Sequence, residues 1–267
     1  LAINALNITD GEIITTPFSF VATTTSILWE RCKPVFVDID KDNFCIDPNK
    51  IEAAITSRTK AILAVHVFGY PCNIEKIQGI ADRHGLKVIY DAAHAFGVEY
   101  NGKSLLSYGD ISTCSFHATK VYHTIEGGAC IVKDQKVSDR LELIKRFGFN
   151  YDNYTEIGIN AKNSEFHAAM GLANFPYIDY IISDRKRVCD LYDKLLDSCV
   201  GRPITPENFK YNYAYYPAVF SSEAELLKVI KALNELEIFP RRYFYPSLNR
   251  LPYLDKKFDC PISEDIS

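Results

Sequence analysis

Apolar positions along this chain follow two alternating rhythms. Runs that are apolar at nearly every position read as strands buried on both faces: E-I-I-T-T-P-F (12–18), K-P-V-F-V-D-I-D (33–40), T-K-A-I-L-A-V-H-V-F-G (59–69) and L-K-V-I-Y-D (86–91). Between them the spacing turns helical. S-F-V-A-T-T-T-S-I-L-W-E-R-C carries Ser19 as its predicted N-cap, Asp47-Pro48 opens P-N-K-I-E-A-A-I, and Gly85 closes I-E-K-I-Q-G-I-A-D-R-H-G. Strands alternating with helices predict an α/β fold whose mainly parallel sheet is covered on both faces.

Two more strands, D-I-S-T-C-S-F and G-G-A-C-I-V-K, flank a loop of small and hydroxyl residues. Residues 135–149 and 163–199 read as helices, the second broken near Pro176. After Gly201-Arg202-Pro203 the character changes. Y-N-Y-A-Y-Y-P-A-V-F (211–220) reads as a strand, E-A-E-L-L-K-V-I-K-A-L-N-E-L (223–236) as an amphipathic helix and I-F-P-R-R-Y-F-Y (238–245) as another strand. The expectation is a large domain over 1–200 and a small α+β domain over 201–267. L-A-I-N-A-L-N begins part-way through a helical pattern and C-P-I-S-E-D-I-S starts a new element, so the reading expects further chain on both sides.

Composition narrows the function. At 267 residues and 47% hydrophobic the chain can bury a large core, and a net charge of −4 offers no basic footprint for nucleic acid. No apolar run nears the roughly 20 residues a membrane helix needs. Eight scattered cysteines without a C-x-x-C pair read as free thiols of a cytoplasmic protein.

The chemistry concentrates at S-F-H-A-T-K-V-Y-H-T-I-E-G-G-A (115–129) and D-A-A-H-A-F-G (91–97). Lys120 stands among neighbours that carry no other charge. Desolvation there lowers an amine's pKa and frees it to attack an aldehyde, the chemistry by which a lysine holds pyridoxal phosphate (PLP) as a Schiff base. Asp91 ends an apolar strand, where ligands of parallel sheets bind, and a carboxylate on the PLP ring nitrogen keeps it protonated. Taken alone it reads as a loop carboxylate or helix cap; the small A-A-H-A that follows it favours the cofactor. His94 is placed to lie against the ring, or is a satisfied half-buried histidine. Ser115 and Thr119 offer hydroxyls for a phosphate, or ordinary turn chemistry. Gly127 and Gly128 let the backbone pass close to a cofactor, or mark a bulge.

These two motifs, with P-F-S-F-V-A-T, P-V-F-V-D-I-D and G-I-N-A-K-N-S-E-F-H-A-A-M-G-L, occur in an order that resembles the DegT/StrS family of PLP-dependent sugar-nucleotide aminotransferases. The resemblance implies the aspartate aminotransferase (type I) fold. It assigns Lys120 to the Schiff base, Asp91 to the ring nitrogen, His94 to the ring and Ser115 to the phosphate. Phe20 matches an aromatic stacked on the ring, and Asn160 matches an asparagine that reaches the cofactor phosphate of the neighbouring subunit in a homodimer. The family's Gly-Thr phosphate-binding turn falls upstream of residue 1.

By the same resemblance the substrates are L-glutamate and a nucleotide-linked keto sugar, most similar to C4 amination of a dTDP-4-keto-6-deoxyhexose for O-antigen or related glycans. Arg241, Arg242, Tyr243 and Tyr245 are the candidate sugar-nucleotide contacts; their other reading is an aromatic-rich strand. The rival readings are a C3-specific or UDP-sugar aminotransferase, a PLP-dependent sugar dehydratase, whose family members replace the lysine by histidine, and a truncated non-catalytic paralogue.

Overall fold

A computed structural model describes residues 1–196, 199–254 and 258–267. Its centre is a six-stranded sheet built from β1 (Glu12–Thr15), β2 (Lys33–Phe36), β3 (Thr59–Val65), β4 (Lys87–Asp91), β5 (Ile111–Ser115) and β6 (Gly128–Val132). The spatial order is β2-β1-β3-β4-β5-β6. Neighbours from β2 to β5 run parallel, and β6 closes the sheet antiparallel to β5. This is the expected α/β architecture. Ile13, Ile14, Ile62, Val88, Ile89 and Tyr90 are buried almost completely, as strands covered on both faces require.

The helices are α1 (Ala2–Ala5), α2 (Val21–Trp29), α3 (Pro48–Ile51), α4 (Ile74–His84), α5 (Gln135–Ile144), α6 (Glu165–Asn174), α7 (Ile178–Leu196), α8 (Glu223–Glu235) and α9 (Pro261–Ile266). Asp47 caps α3 by accepting from the Asn49 N–H, with Pro48 at the first position, and Gly85 ends α4 in the left-handed region at φ 64°. The break near Pro176 is a 3₁₀ turn, Phe175–Tyr177, between α6 and α7. Residues 197 and 198 of the helix expected over 163–199 lie outside those described, as do residues 255–257 of the expected small domain.

Four expectations need correction. Ser19 does not cap α2: the N-cap is Phe20, and the Ser19 hydroxyl pairs with Thr23 Oγ1 at 2.8 Å. The helix expected over 135–149 stops at Ile144, because Phe147 and Gly148 turn to φ 60° and 74°. Neither 211–220 nor 238–245 forms a strand. In the first of these, side chains take the place of a ladder: the Tyr211 hydroxyl donates to the Phe68 carbonyl, and the Asn212 amide donates to those of His94 and Phe96. In the second, Phe244 leaves the backbone line to join the main core beside Phe18 and Phe68.

The turn after β2 carries buried Asp38. One of its oxygens accepts from the Ile39 N–H, the Ser263 N–H and the Ser263 hydroxyl, and the other from the Ile262 N–H. It therefore tethers the start of α9 to the sheet. We expect Asp38→Ala to cost about 3 kcal/mol in denaturant unfolding, since buried donors lose a charged acceptor. Faster hydrogen exchange at Ile262 and Ser263 is the accompanying sign.

Candidate active site

β1, β3, β4 and β5 point their carboxyl ends to one edge of the sheet, where side chains leave the ladder and can meet a ligand. A cleft of about 1020 Å³ opens there, lined by Asp91, His94, Ser115 and Lys120. Arg241 and Tyr243 form part of its wall, and the half-exposed Phe20 belongs to it as well. Lysine and carboxylate, separated by a strand and a loop in sequence, thus share one cavity.

Asp91 is the last residue of β4. Its Oδ2 accepts from Thr23 Oγ1 at 2.7 Å and its Oδ1 from the Ala93 N–H at 3.1 Å. The Thr23 proton goes to the carboxylate, so the Thr23 oxygen accepts in turn from Ser19. Both of these donors to Asp91 are neutral. They fix the carboxylate's orientation and leave its charge for a cation in the cleft. The Asp91 carbonyl is held by the His66 N–H from the end of β3.

His94 Nδ1 accepts from the Phe68 N–H at 3.0 Å, so the proton of the neutral ring sits on Nε2. Phe68 presents that N–H from the left-handed region, φ 54°. Burial, with the Lys120 charge second, brings the His94 pKa down to about 3. His66, fully buried and stacked at 4.5 Å on Tyr90, is lowered to about 3 by burial as well.

Lys120 Nζ donates to the Tyr215 hydroxyl at 3.2 Å. Burial lowers the lysine's pKa, while Asp91 and Cys114 oppose the shift and Arg241 adds to it. Burial also pushes the neighbouring Cys114 thiol up to about 12, so it faces the cleft protonated. The lysine loop is pinned by its own hydrogen bonds: the Lys120 N–H donates to the His117 carbonyl, the Phe116 N–H to Gly127, and the Thr124 N–H to Phe116. Ser115 Oγ accepts from the His117 N–H, and Thr119 pairs its hydroxyl with His117 Nδ1. Gly127 and Gly128 answer to packing. A Cβ at Gly127 would lie 2.3 Å from Thr124 Oγ1, and one at Gly128 would lie 2.7 Å from the Cys114 carbonyl oxygen.

Three candidates fall elsewhere. Asn160 is exposed, bridges to Arg146 and accepts from Lys162 at 2.6 Å. Arg242 turns from the cleft because its guanidinium is taken by the Ser267 carbonyl and by Glu223, and it stacks at 3.8 Å on Tyr245, which stays with it. Two residues that touch Asp91 and Lys120 escaped the sequence reading. Thr23 carried only the i, i+4 spacing from Ser19 as a signal, and Tyr215 carried none.

A model of the DegT/DnrJ/EryC1/StrS aminotransferase family matches residues 1–267. The chain belongs to that family. Among DegT/DnrJ/EryC1/StrS relatives, the dTDP-4-amino-4,6-dideoxy-D-glucose transaminase of Shigella dysenteriae is 44% identical over 250 residues, covering 92% of this chain and 68% of that protein. GDP-perosamine synthase of Escherichia coli O157:H7 is 33% identical, over 100% of this chain and 74% of its own. A crystal structure of DesI with its TDP-sugar product superposes with a TM-score of 0.91 at 32% identity, covering 99% of this chain and 69% of that one. The protein is accordingly a sugar aminotransferase with the type I fold, from a family of PLP enzymes.

The two buried histidines predict an acid-side loss of stability. Their folded pKa values lie near 3 and the unfolded value near 6.5, so below pH 6.5 the unfolded chain binds protons that the fold refuses. Nothing is lost above that pH. Below it each histidine removes about 1.4 kcal/mol per pH unit. Urea titrations from pH 7 to 5 check this, with His66→Asn expected to flatten the slope by one proton's worth.

Proposed function

We propose that this chain holds PLP between Lys120 and Asp91 and moves an amino group from L-glutamate to C4 of dTDP-4-keto-6-deoxy-D-glucose, giving dTDP-4-amino-4,6-dideoxyglucose for O-antigen or related glycan synthesis. One observation carries the reading: a depressed lysine amine and a carboxylate fixed by neutral donors line the same cleft. That donor set fits the cofactor, because it pairs a nucleophile for the aldehyde with an anion for the ring nitrogen. The choice of sugar is supported by the 44% identity to the Shigella dysenteriae transaminase.

Bound PLP supplies an aldehyde for amino groups and a ring that takes up the electrons released when a substrate C–H bond breaks. The chain's residues do the rest. Asp91 keeps a proton on the ring nitrogen. His94 turns its Nε2–H outward as a neutral donor. Ser115 and Thr119 hold phosphate oxygens with their hydroxyls. Lys120, released as a free amine, takes the proton from the substrate carbon and returns it on the other side of the reaction. Arg241 and Tyr243 meet the anionic and planar parts of the nucleotide sugar. We further propose a cytoplasmic homodimer. Its support is the number of large apolar side chains left bare over 157–175, Ile157 at 95% exposure and Phe166 at 85% with Leu172 and Phe175 also exposed, and the exposed Asn160 in the same stretch of chain.

Incubation with PLP, L-glutamate and a panel of dTDP-, GDP- and UDP-keto sugars should give an amino sugar by mass from the dTDP-4-keto substrate. A deoxygenated keto sugar with ammonia in solution, in place of the amino sugar, would mark a dehydratase instead. After borohydride reduction the Lys120 peptide should carry the cofactor, whereas Lys120→Ala should carry none and lose turnover by about a thousandfold. In a separate titration, Thr23→Val should weaken PLP binding about tenfold through loss of one charge-assisted hydrogen bond, and Thr23→Ser should restore it.

A further inference from the structure

Tyr215 does not line the cleft. It lies with Lys120, Phe96 and Val121 around a separate small void, and its hydroxyl is 3.2 Å from Lys120 Nζ. The position is held from several sides. Its carbonyl accepts from the Tyr211 hydroxyl, and the preceding Ala214 carbonyl accepts from Arg185 while the Ala214 N–H donates to Asn212. The ring packs at 4.5 Å against His94, 5.5 Å against Phe68 and 6.0 Å against Tyr243. Such anchoring exceeds what a surface tyrosine needs.

We propose that Tyr215 is a further catalytic residue, its hydroxyl serving as the hydrogen-bond partner Lys120 keeps as the amine passes between its neutral and charged forms. The inference rests on the reading of Lys120 given above. A carbonyl in that place could accept an N–H but never donate to the free amine's lone pair, and an N–H could serve only the free amine; a hydroxyl does both by rotating its proton. When the substrate C–H bond breaks, its electron pair stays on the carbon side and the proton forms a new N–H bond on Nζ. The reverse transfer restores the lone pair. Tyr215 donates to the lone pair of the resting amine, gives it up as the lone pair turns to the substrate C–H bond, and then accepts from an N–H of the ammonium, ending with its own proton as it began. Burial, with Tyr243 adding to it, raises the phenol's pKa and keeps it protonated throughout. The charged or titratable neighbours of Lys120 are Asp91 on β4, Cys114 on β5, Arg241 and neutral His94, and none of them offers an uncharged hydroxyl.

Tyr215→Phe keeps the ring and deletes the hydroxyl. In the cofactor-free protein, reductive methylation of Lys120 followed across pH by mass spectrometry should show its midpoint falling by about one unit, as a charge-assisted bond is lost. In the PLP-loaded enzyme kcat should drop about tenfold or more, with KM for both substrates changed less than about threefold and a larger isotope effect from glutamate deuterated at Cα. Tyr215→Leu repeats both measurements on a second apolar side chain. An unmoved midpoint or an unchanged kcat overturns the proposal. Absence of a reducible cofactor adduct on Lys120 in the unaltered protein would instead sink the reading of the site itself.

Discussion

The carboxylate of Asp91 is the constraint around which this cleft is arranged. It ends β4, and its oxygens are steered by Thr23 from α2 and by the Ala93 N–H. A charged donor such as arginine in either place would have consumed the negative charge inside the fold. Neutral donors hold the geometry and leave the field in the cavity, where it acts on Lys120 against the lysine's own desolvation. The sheet supplies the rigidity, because β4 lies between β3 and β5 with hydrogen bonds on both edges.

A second layer of control runs through Phe68. Its N–H sets the His94 tautomer and its carbonyl accepts from Tyr211, whose hydroxyl also reaches the carbonyl of Tyr215. Asn212 clasps the turn after His94 at two carbonyls. The stretch 211–215 therefore reaches the histidine and the lysine together. Its aromatic side chains pack on the large sheet's loops instead of forming a new ladder.

That explains which features could be read from residues alone. Caps such as Asp47-Pro48 and Gly85 are local, so the chain declares them within a few positions. The strand ending at Asp91 and the lysine loop declare themselves by apolar runs and by the charges they exclude. Thr23 meets Asp91 across 68 positions and Tyr215 meets Lys120 across 95, and no periodicity spans such distances. The strands expected at 211–220 and 238–245 failed for a related reason. Tyrosine, phenylalanine and valine suit a pleated surface only where a partner strand is in register, and here long-range side-chain bonds and core packing compete.

Gly127 and Gly128 end the lysine loop against Thr124 and the Cys114 carbonyl with no room for even one methyl group. A combinatorial library meant to broaden the range of accepted sugars gains nothing by randomising that pair. If Arg241 and Tyr243 meet the sugar nucleotide as proposed, diversity belongs there, outside the sheet, where the guanidinium rests 5.0 Å over the phenol ring and can be exchanged without moving a strand.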